Sequence, residues 1–363
     1  MNSVASVISP LTSGEITALG SWLLVALACG LDRLIGDPQR LLHPVQVMGW
    51  WIARLQRLAE TLVGDRPLAL RLAGLVITLL LLAGSGAAGW GLEQLARWHP
   101  AVGAPLLLLA LSSALAGGSL ERAVVQVLQA LPQPGATGNE DTTLVPARTA
   151  LSWIVGRDTT RLDRAGILRA AAETASENAV DGLFAPLFWM LLGAALAALN
   201  PTAAVPGPLA FAWAYKACST LDSMLGYRRG RLRWLGTAGA RLEDLLTWIP
   251  CRLVALSLPT AAGRPGCSAL WLRAALREGA ADPSPNAGVS QAAYAWAAGV
   301  QLGGINRYPD GLRAKPILAA GQAAADRAGV ERILALSRRL ELLWLLVAAA
   351  AALLLSGRSL HLP

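Results

Sequence analysis

The chain has 363 residues, 54% hydrophobic and only 15% charged, with a formal net charge of +8. Ordinary soluble domains carry roughly 25% charged residues, so the deficit excludes a soluble enzyme or a disordered segment and points to a membrane protein. The positive balance does not read as a nucleic-acid surface, because basic residues gather in loops beside apolar runs rather than along one soluble face. No nucleic-acid partner is expected.

The predicted fold class is all-α: a polytopic integral membrane protein, one domain over residues 1–363, with about five transmembrane helices (range four to six) and helical cytoplasmic loops. The expected spans are approximately 16–34, 72–92, 100–120, 183–200, 206–222 and 341–357, judged against the roughly 20 apolar residues that a crossing needs. No Lys or Arg precedes Arg33, so the first segment lacks the basic start of a secretory signal and is expected to be retained. N-P-T-A-A-V-P-G-P at 200–208 breaks the fourth apolar run into a helical hairpin. Its second arm meets Lys216 and Asp222, so it dips into the bilayer or packs against protein. The stretch 245–263 is apolar but carries Arg252, which reads as a buried or interfacial helix. Valine, isoleucine and threonine nowhere alternate with polar residues over a convincing length, so no strand is expected.

Basic residues concentrate in 33–71, 122–169 and 216–241, and 93–97 and 200–208 are nearly free of them. The positive-inside rule then puts the rich loops in the cytoplasm and the N-terminus outside, in the inner (cytoplasmic) membrane. Cys29, Cys218, Cys251 and Cys267 lie far apart with no C-x-x-C pair, which indicates neither a zinc site nor a disulfide framework. P-loop, H-E-x-x-H and serine-elbow motifs are absent, and no G-x-G-x-x-G follows a strand signal. His43, in H-P-V, is the one histidine in a cytoplasmic loop and reads as structural more readily than catalytic.

Polar groups recur at the edges of the apolar runs. E-T-A-S-E-N-A-V-D-G at 173–182 places Glu173, Glu177 and Asp181 four residues apart, on one helical face, where like charges repel. A solvated helix surface is the plain reading. A divalent cation, most naturally Mg²⁺, would turn the repulsion into attraction, with Asn178 alongside. Next, Y-K-A-C-S-T-L-D-S-M-L-G-Y-R-R-G-R puts Lys216 and Asp222 at the membrane edge, where charge is costly and usually functional, ahead of a run opening with Arg228. That run suits phosphate or carboxylate, or a membrane surface. In A-R-L-E-D-L-L-T-W-I-P-C-R, Arg241 and Asp244 form a local i,i+3 pair on paper. S-P-N-A-G at 284–288 and G-G-I-N-R-Y at 303–308 set Asn286 and Asn306 in tight loops, either ordinary turns or cradles of N–H groups for an anion.

Taken in order, L-D-R-L-I-G-D-P-Q-R-L-L-H-P-V, A-L-S-W-I-V-G-R-D-T-T-R-L-D through E-T-A-S-E-N-A-V-D-G, Y-K-A-C-S-T-L-D-S-M-L-G-Y-R, W-I-P-C-R-L, S-P-N-A-G and G-G-I-N-R-Y resemble the adenosylcobinamide-phosphate synthase family (CobD/CbiB) of cobalamin biosynthesis, over about 30–340. The chain departs from the family pattern at Ser219 and Thr247, where asparagine is usual. The resemblance implies an acid–amine ligase that joins adenosylcobyric acid to (R)-1-amino-2-propanol phosphate, or to ethanolamine phosphate, giving adenosylcobinamide phosphate. It also implies ATP, to activate the carboxylate, and Mg²⁺ to neutralise phosphate charge. On that basis Glu173, Glu177 and Asp181 are the expected metal ligands and, with Lys216 and Asp222, the catalytic set. Arg157, Asn178, Arg228, Arg252, Asn286 and Asn306 are expected to hold substrate and phosphate, with Asp158 beside Arg157. No residue stands out as the base. Other corrinoid-pathway enzymes or a second copy of the chain are candidate partners, alongside the lipid bilayer. A transporter and a non-catalytic scaffold are the rival readings.

Overall fold

Prolines set many of the helix starts. Four helices, α2 (Pro44–Val63), α3 (Pro67–Trp98), α4 (Pro100–Ser112) and α10 (Pro208–Leu225), open on one, where its fixed φ is preorganised and its missing N–H costs nothing. The computed structural model describes residues 13–36, 43–132, 140–200, 205–308 and 311–358. Before α2 comes α1 (Ser13–Ile35), and after α4 come α5 (Gly117–Ala130), α6 (Glu140–Thr143), α7 (Val145–Ser152), α8 (Arg164–Ala179) and α9 (Ala185–Leu199). After α10 follow α11 (Leu232–Leu235), α12 (Thr237–Ala261), α13 (Ser268–Gly279), α14 (Ala287–Ala298) and, after a small sheet, α15 (Arg327–Arg358).

The sheet corrects the all-α expectation. Strands β1 (Val300–Tyr308), β2 (Gly311–Leu318) and β3 (Ala323–Ala324) lie in the order β2-β1-β3, with β1 antiparallel to β2 and parallel to β3. G-G-I-N-R-Y is therefore strand rather than loop. The alternation that marks a strand is broken by a register shift between Leu302 and Gly304, where Gly303 and Gly304 take φ of 87° and 98°. Only glycine adopts that backbone freely.

Two helices among the described residues are long and apolar enough to cross a bilayer: Pro67–Trp98, and the continuous Arg164–Leu199 formed by α8 and α9. The expected span at 100–120 is instead the pair α4 and α5, bent by 42°, which makes a third crossing if counted as one. The remaining expected spans fall on α1, α10 and the end of α15. Residues 93–97 belong to α3, which runs through them to Trp98. Within this stretch Glu93, 6% exposed, accepts hydrogen bonds from the amides of Gly207, Leu209 and Ala210, so a side chain that would otherwise need water caps the N-terminus of α10. Residues 201–204 and 37–42, parts of two sequence landmarks, lie outside the described residues.

Helix α3 shows two apolar faces. Leu70, Ile77 and Leu81 are buried, whereas Leu72, Leu75, Val76 and Leu79 are exposed, the pattern of a helix between protein and lipid. At Gly89 it meets α10 so closely that a Cβ would lie 2.9 Å from the Leu209 and Ala210 backbone. The main core is built from α8, α9, α12, α14 and their neighbours, and a smaller one joins α2, α3 and α10. Helix α12 takes in 245–261 of the expected 245–263 helix and continues through Pro250 and Pro259.

Candidate functional site

Between α8 and α9 the helix relaxes into a π-turn, Val180–Phe184. Such turns release backbone groups from the helical ladder and recur at functional sites. Here the Gly182 carbonyl accepts from Ala116 N at 2.8 Å, which fastens the bend between α4 and α5 to the turn. A cavity of about 390 Å³ opens at this junction. Ser119 and Leu120 of α5 line it, with Asn178, Asp181 and Gly182 at the turn, Lys216, Ser219, Asp222 and Ser223 of α10, and Glu243 of α12.

Four residues expected from sequence, Asn178, Asp181, Lys216 and Asp222, thus meet in one cavity. Asn178 is oriented by the bond from its Nδ2 to Thr174 Oγ1 (2.9 Å). Asp222 folds over Gly226, where any Cβ would collide with its carboxylate, so glycine is required by close approach and not by φ. Glu243 was not anticipated. Burial outweighs the hydrogen bond from Thr247, and with Asp222 and Asp244 nearby its carboxyl is pushed up to about 7. Glu243, Glu177 and Asp222 all act electrostatically on Asp181, opposed by the Lys216 ammonium. The lining is net acidic.

The expected carboxylate trio does not assemble. Glu173 is buried against Arg157, whose other arm donates to Asn306 Oδ1 at 2.8 Å, and Gly303 N donates to Glu173 Oε1 at 2.9 Å. Arg169, one turn earlier on α8, binds the Gly303 and Ile305 carbonyls. Arg157, Glu173 and Asn306 therefore brace β1 against α8. Glu177 accepts from Gln291 Nε2 of α14 at 2.6 Å. It also faces Lys315 of β2, which pairs with Asp282 at 3.2 Å. Burial alone would depress the Lys315 ammonium, but Glu177 and Asp282 more than offset that and hold it above its ordinary range.

Among the described residues no three His, Cys, Asp or Glu side chains form a group able to hold a metal ion. The helical register that aligns Glu173 with Glu177 gives way at Val180, and each carboxylate takes different partners, although Glu177 stays within electrostatic reach of both Glu173 and Asp181. Among the described residues, Glu173, Glu177 and Asp181 do not gather into a metal-holding group.

The remaining candidates scatter. Arg252 donates to Asn286 Oδ1 and to the Pro285 carbonyl (2.8 Å), while Asn286 Nδ2 donates to the Asp244 carbonyl (2.8 Å), so this pair pins the S-P-N-A-G loop to α12. Arg228 is exposed just beyond α10, within electrostatic reach of Asp244. Asp158 is capped by the Thr160 amide and hydroxyl. His43 Nδ1 accepts from Val45 N, part of a capping box at the start of α2.

Residues 25–337 match the family described as CobD/Cbib protein. The chain is 39% identical over 325 residues to the cobalamin biosynthesis protein CobD of Synechocystis, covering 89% of each chain. It is 39% identical over 336 residues to cobalamin biosynthesis protein CbiB of Salmonella choleraesuis, covering 92% of this chain and 96% of that one. Against Klebsiella pneumoniae CobD the identity is 39% over 333 residues, with 90% and 94% covered. No solved structure matches. With the family match and these relatives spanning nearly all of its length, the chain belongs to the CobD/CbiB family.

Proposed function

We propose that the chain acts in cobalamin biosynthesis as an acid–amine ligase, joining adenosylcobyric acid to (R)-1-amino-2-propanol phosphate or ethanolamine phosphate to give adenosylcobinamide phosphate. The observation that carries this reading is the convergence of Asn178, Asp181, Lys216, Asp222 and Glu243 in one cavity. An amino-alcohol phosphate has a cationic end and an anionic end. The acidic lining suits the ammonium, while Lys216 and the exposed Arg228 suit the phosphate. Seating the amine beside the acyl carbon lowers the barrier by fixing orientation.

The carboxylate still needs activation, and ATP serves that purpose in this reading, although the chain has no P-loop. Mg²⁺ enters with the nucleotide, since a hard cation keeps water and phosphate oxygens readily; no step is assigned to a metal held by the protein. The bilayer is the setting: α1, α10 and the end of α15 complete a topology of about five spans, with the N-terminus outside and the polar loops cytoplasmic. Contact with other corrinoid-pathway enzymes, or with a second copy, belongs to the same proposal. A transporter fits less well, because Thr78 and Glu93, the buried polar residues of α3, are engaged in hydrogen bonds within and between helices.

The test is product analysis. The chain, purified into lipid nanodiscs, is incubated with adenosylcobyric acid, aminopropanol phosphate, Mg²⁺ and ATP, with each omitted in turn. Mass-spectrometric appearance of adenosylcobinamide phosphate that needs all the organic components supports the ligase. Substrate binding without product would favour the scaffold.

A further inference from the structure

Glu243 lines the cavity without being drawn into a brace of the kind that occupies Glu173 or Asn286. Thr247, one turn further along α12 and fully buried, donates to Glu243 Oε1 at 2.6 Å. Thr247 Oγ1 in turn lies 2.9 Å from the hydroxyl of Tyr215, a residue 1% exposed. Tyr215 Oη also lies 3.4 Å from Glu243 Oε1 and 3.4 Å from the Asp181 carbonyl. One carboxylate oxygen is therefore held from the dry side by two side chains on two helices, and the residue faces the cavity. A group fixed this way keeps its orientation whether protonated or not.

The ionisable groups around it are Asp181 from the π-turn, Lys216 and Asp222 from α10, and Asp244 and Cys251 on its own helix, with the Tyr215 and Cys218 side chains of α10 beside them. Three of these groups are carboxylic acids and one is a lysine. Any negative charge the acids carry attracts an ammonium into the cavity and disfavours a further negative charge, which raises the proton affinity of Glu243. The rise of its carboxyl to about 7 agrees with this geometry, because a base works best when its affinity for protons matches the working pH.

Resting on the ligase reading of the cavity, we infer that Glu243 is the base that takes the proton from the amino-alcohol phosphate, with Thr247 and Tyr215 as positioning residues. The substrate ammonium gives one proton to the Glu243 carboxylate, and the freed nitrogen lone pair forms the C–N bond to the carbonyl carbon of an acyl phosphate. The C–O bond to phosphate breaks, its electron pair leaves with the phosphate, and the second nitrogen proton goes to that leaving group. The products are the amide, hydrogen phosphate and protonated Glu243, which returns its proton to water.

The experiment compares the full wild-type chain with Glu243→Gln and Glu243→Asp in nanodiscs, measuring initial rates of amide formation from pH 5.5 to 9.5 on the order of every half unit, at saturating substrates. Glu243→Gln can keep the bond to Thr247, and melting curves verify its fold, with Glu243→Asp as the second variant. The expected result is a loss of roughly 10²–10⁴ in kcat for Glu243→Gln, with KM for the amino-alcohol phosphate moving much less. Its residual rate should climb steadily with pH as free amine accumulates, without the wild-type inflection near 7. Glu243→Asp should restore part of the rate and the inflection. Product from the wild type together with an unchanged rate and pH profile in Glu243→Gln overturns the assignment of Glu243 and leaves the ligase reading intact. Absence of product from the folded wild type overturns the ligase reading and this assignment with it.

Discussion

The guanidinium of Arg157, in the segment between α7 and α8, closes on the carboxylate of Glu173, with side-chain exposures of 8% and 1%. The pair also holds Asn306 and Gly303 of β1. It accounts for the first member of the carboxylate series without a metal. Removing one partner of a buried pair leaves the other charge uncompensated. Arg157→Ala is therefore expected to cost roughly 3–5 kcal/mol of stability, read as a fall in melting temperature in detergent. A variant that melts like the wild type would show the brace to be dispensable.

Gly226 lies under Asp222, and a Cβ there would strike the carboxylate. Gly226→Ala should displace Asp222 from the cavity and lower kcat/KM by up to roughly 10²-fold, the scale of a small misplacement of a positioned group. Its melting temperature should change less than that of Arg157→Ala. Activity equal to the wild type would remove Asp222 from the site.

Glu93 caps α10, the helix that carries Lys216 and Asp222, by accepting from three amides. Loss of a cap costs about 0.5–2 kcal/mol, so Glu93→Ala should fall in that range by melting and should weaken amide formation through movement of α10. Glu93→Gln, which keeps an acceptor, should recover much of both.

The pH dependence of stability follows from the raised carboxyl of Glu243. Between the unfolded value of about 4.3 and the folded value of about 7, the folded chain binds more protons than the unfolded one. Its contribution therefore favours the fold below that window and is lost as pH rises through it. Glu243→Gln, neutral throughout, should gain stability relative to the wild type as pH rises from 5 to 8. Melting curves at the two ends measure the difference, and a difference independent of pH would contradict the assignment.

Much of the helical frame was legible because uncharged runs and prolines act locally: 72–92 lies inside α3, and Pro208 opens α10. The sheet was not, since Gly303 and Gly304 interrupt the alternation, although the Y-P-D-G run at 308–311 is a turn signal between two strands. The carboxylate series shows a different limit. Spacing of i, i+4 and i+8 presumes one regular helix, and the π-turn at Val180 ends that regularity before Asp181. It also says nothing of residues from elsewhere, and Arg157, Gln291 and the α10 cavity each engage a different one of the three. Glu243 was overlooked because R-L-E-D drew attention to its neighbour Asp244 as the partner of Arg241. Only the packing of α12 against α10, which brings Tyr215 to Thr247, reveals it.

An amine seated in the cavity at the π-turn would lie beside Asp181, so Asp181→Asn removes a partner of that amine. Steady-state kinetics in nanodiscs should show KM for the amino-alcohol phosphate rising by about tenfold or more, the scale of one charge-assisted hydrogen bond, with KM for adenosylcobyric acid unchanged. An unchanged KM for the amino-alcohol phosphate, in a variant that folds and turns over, would contradict that seating.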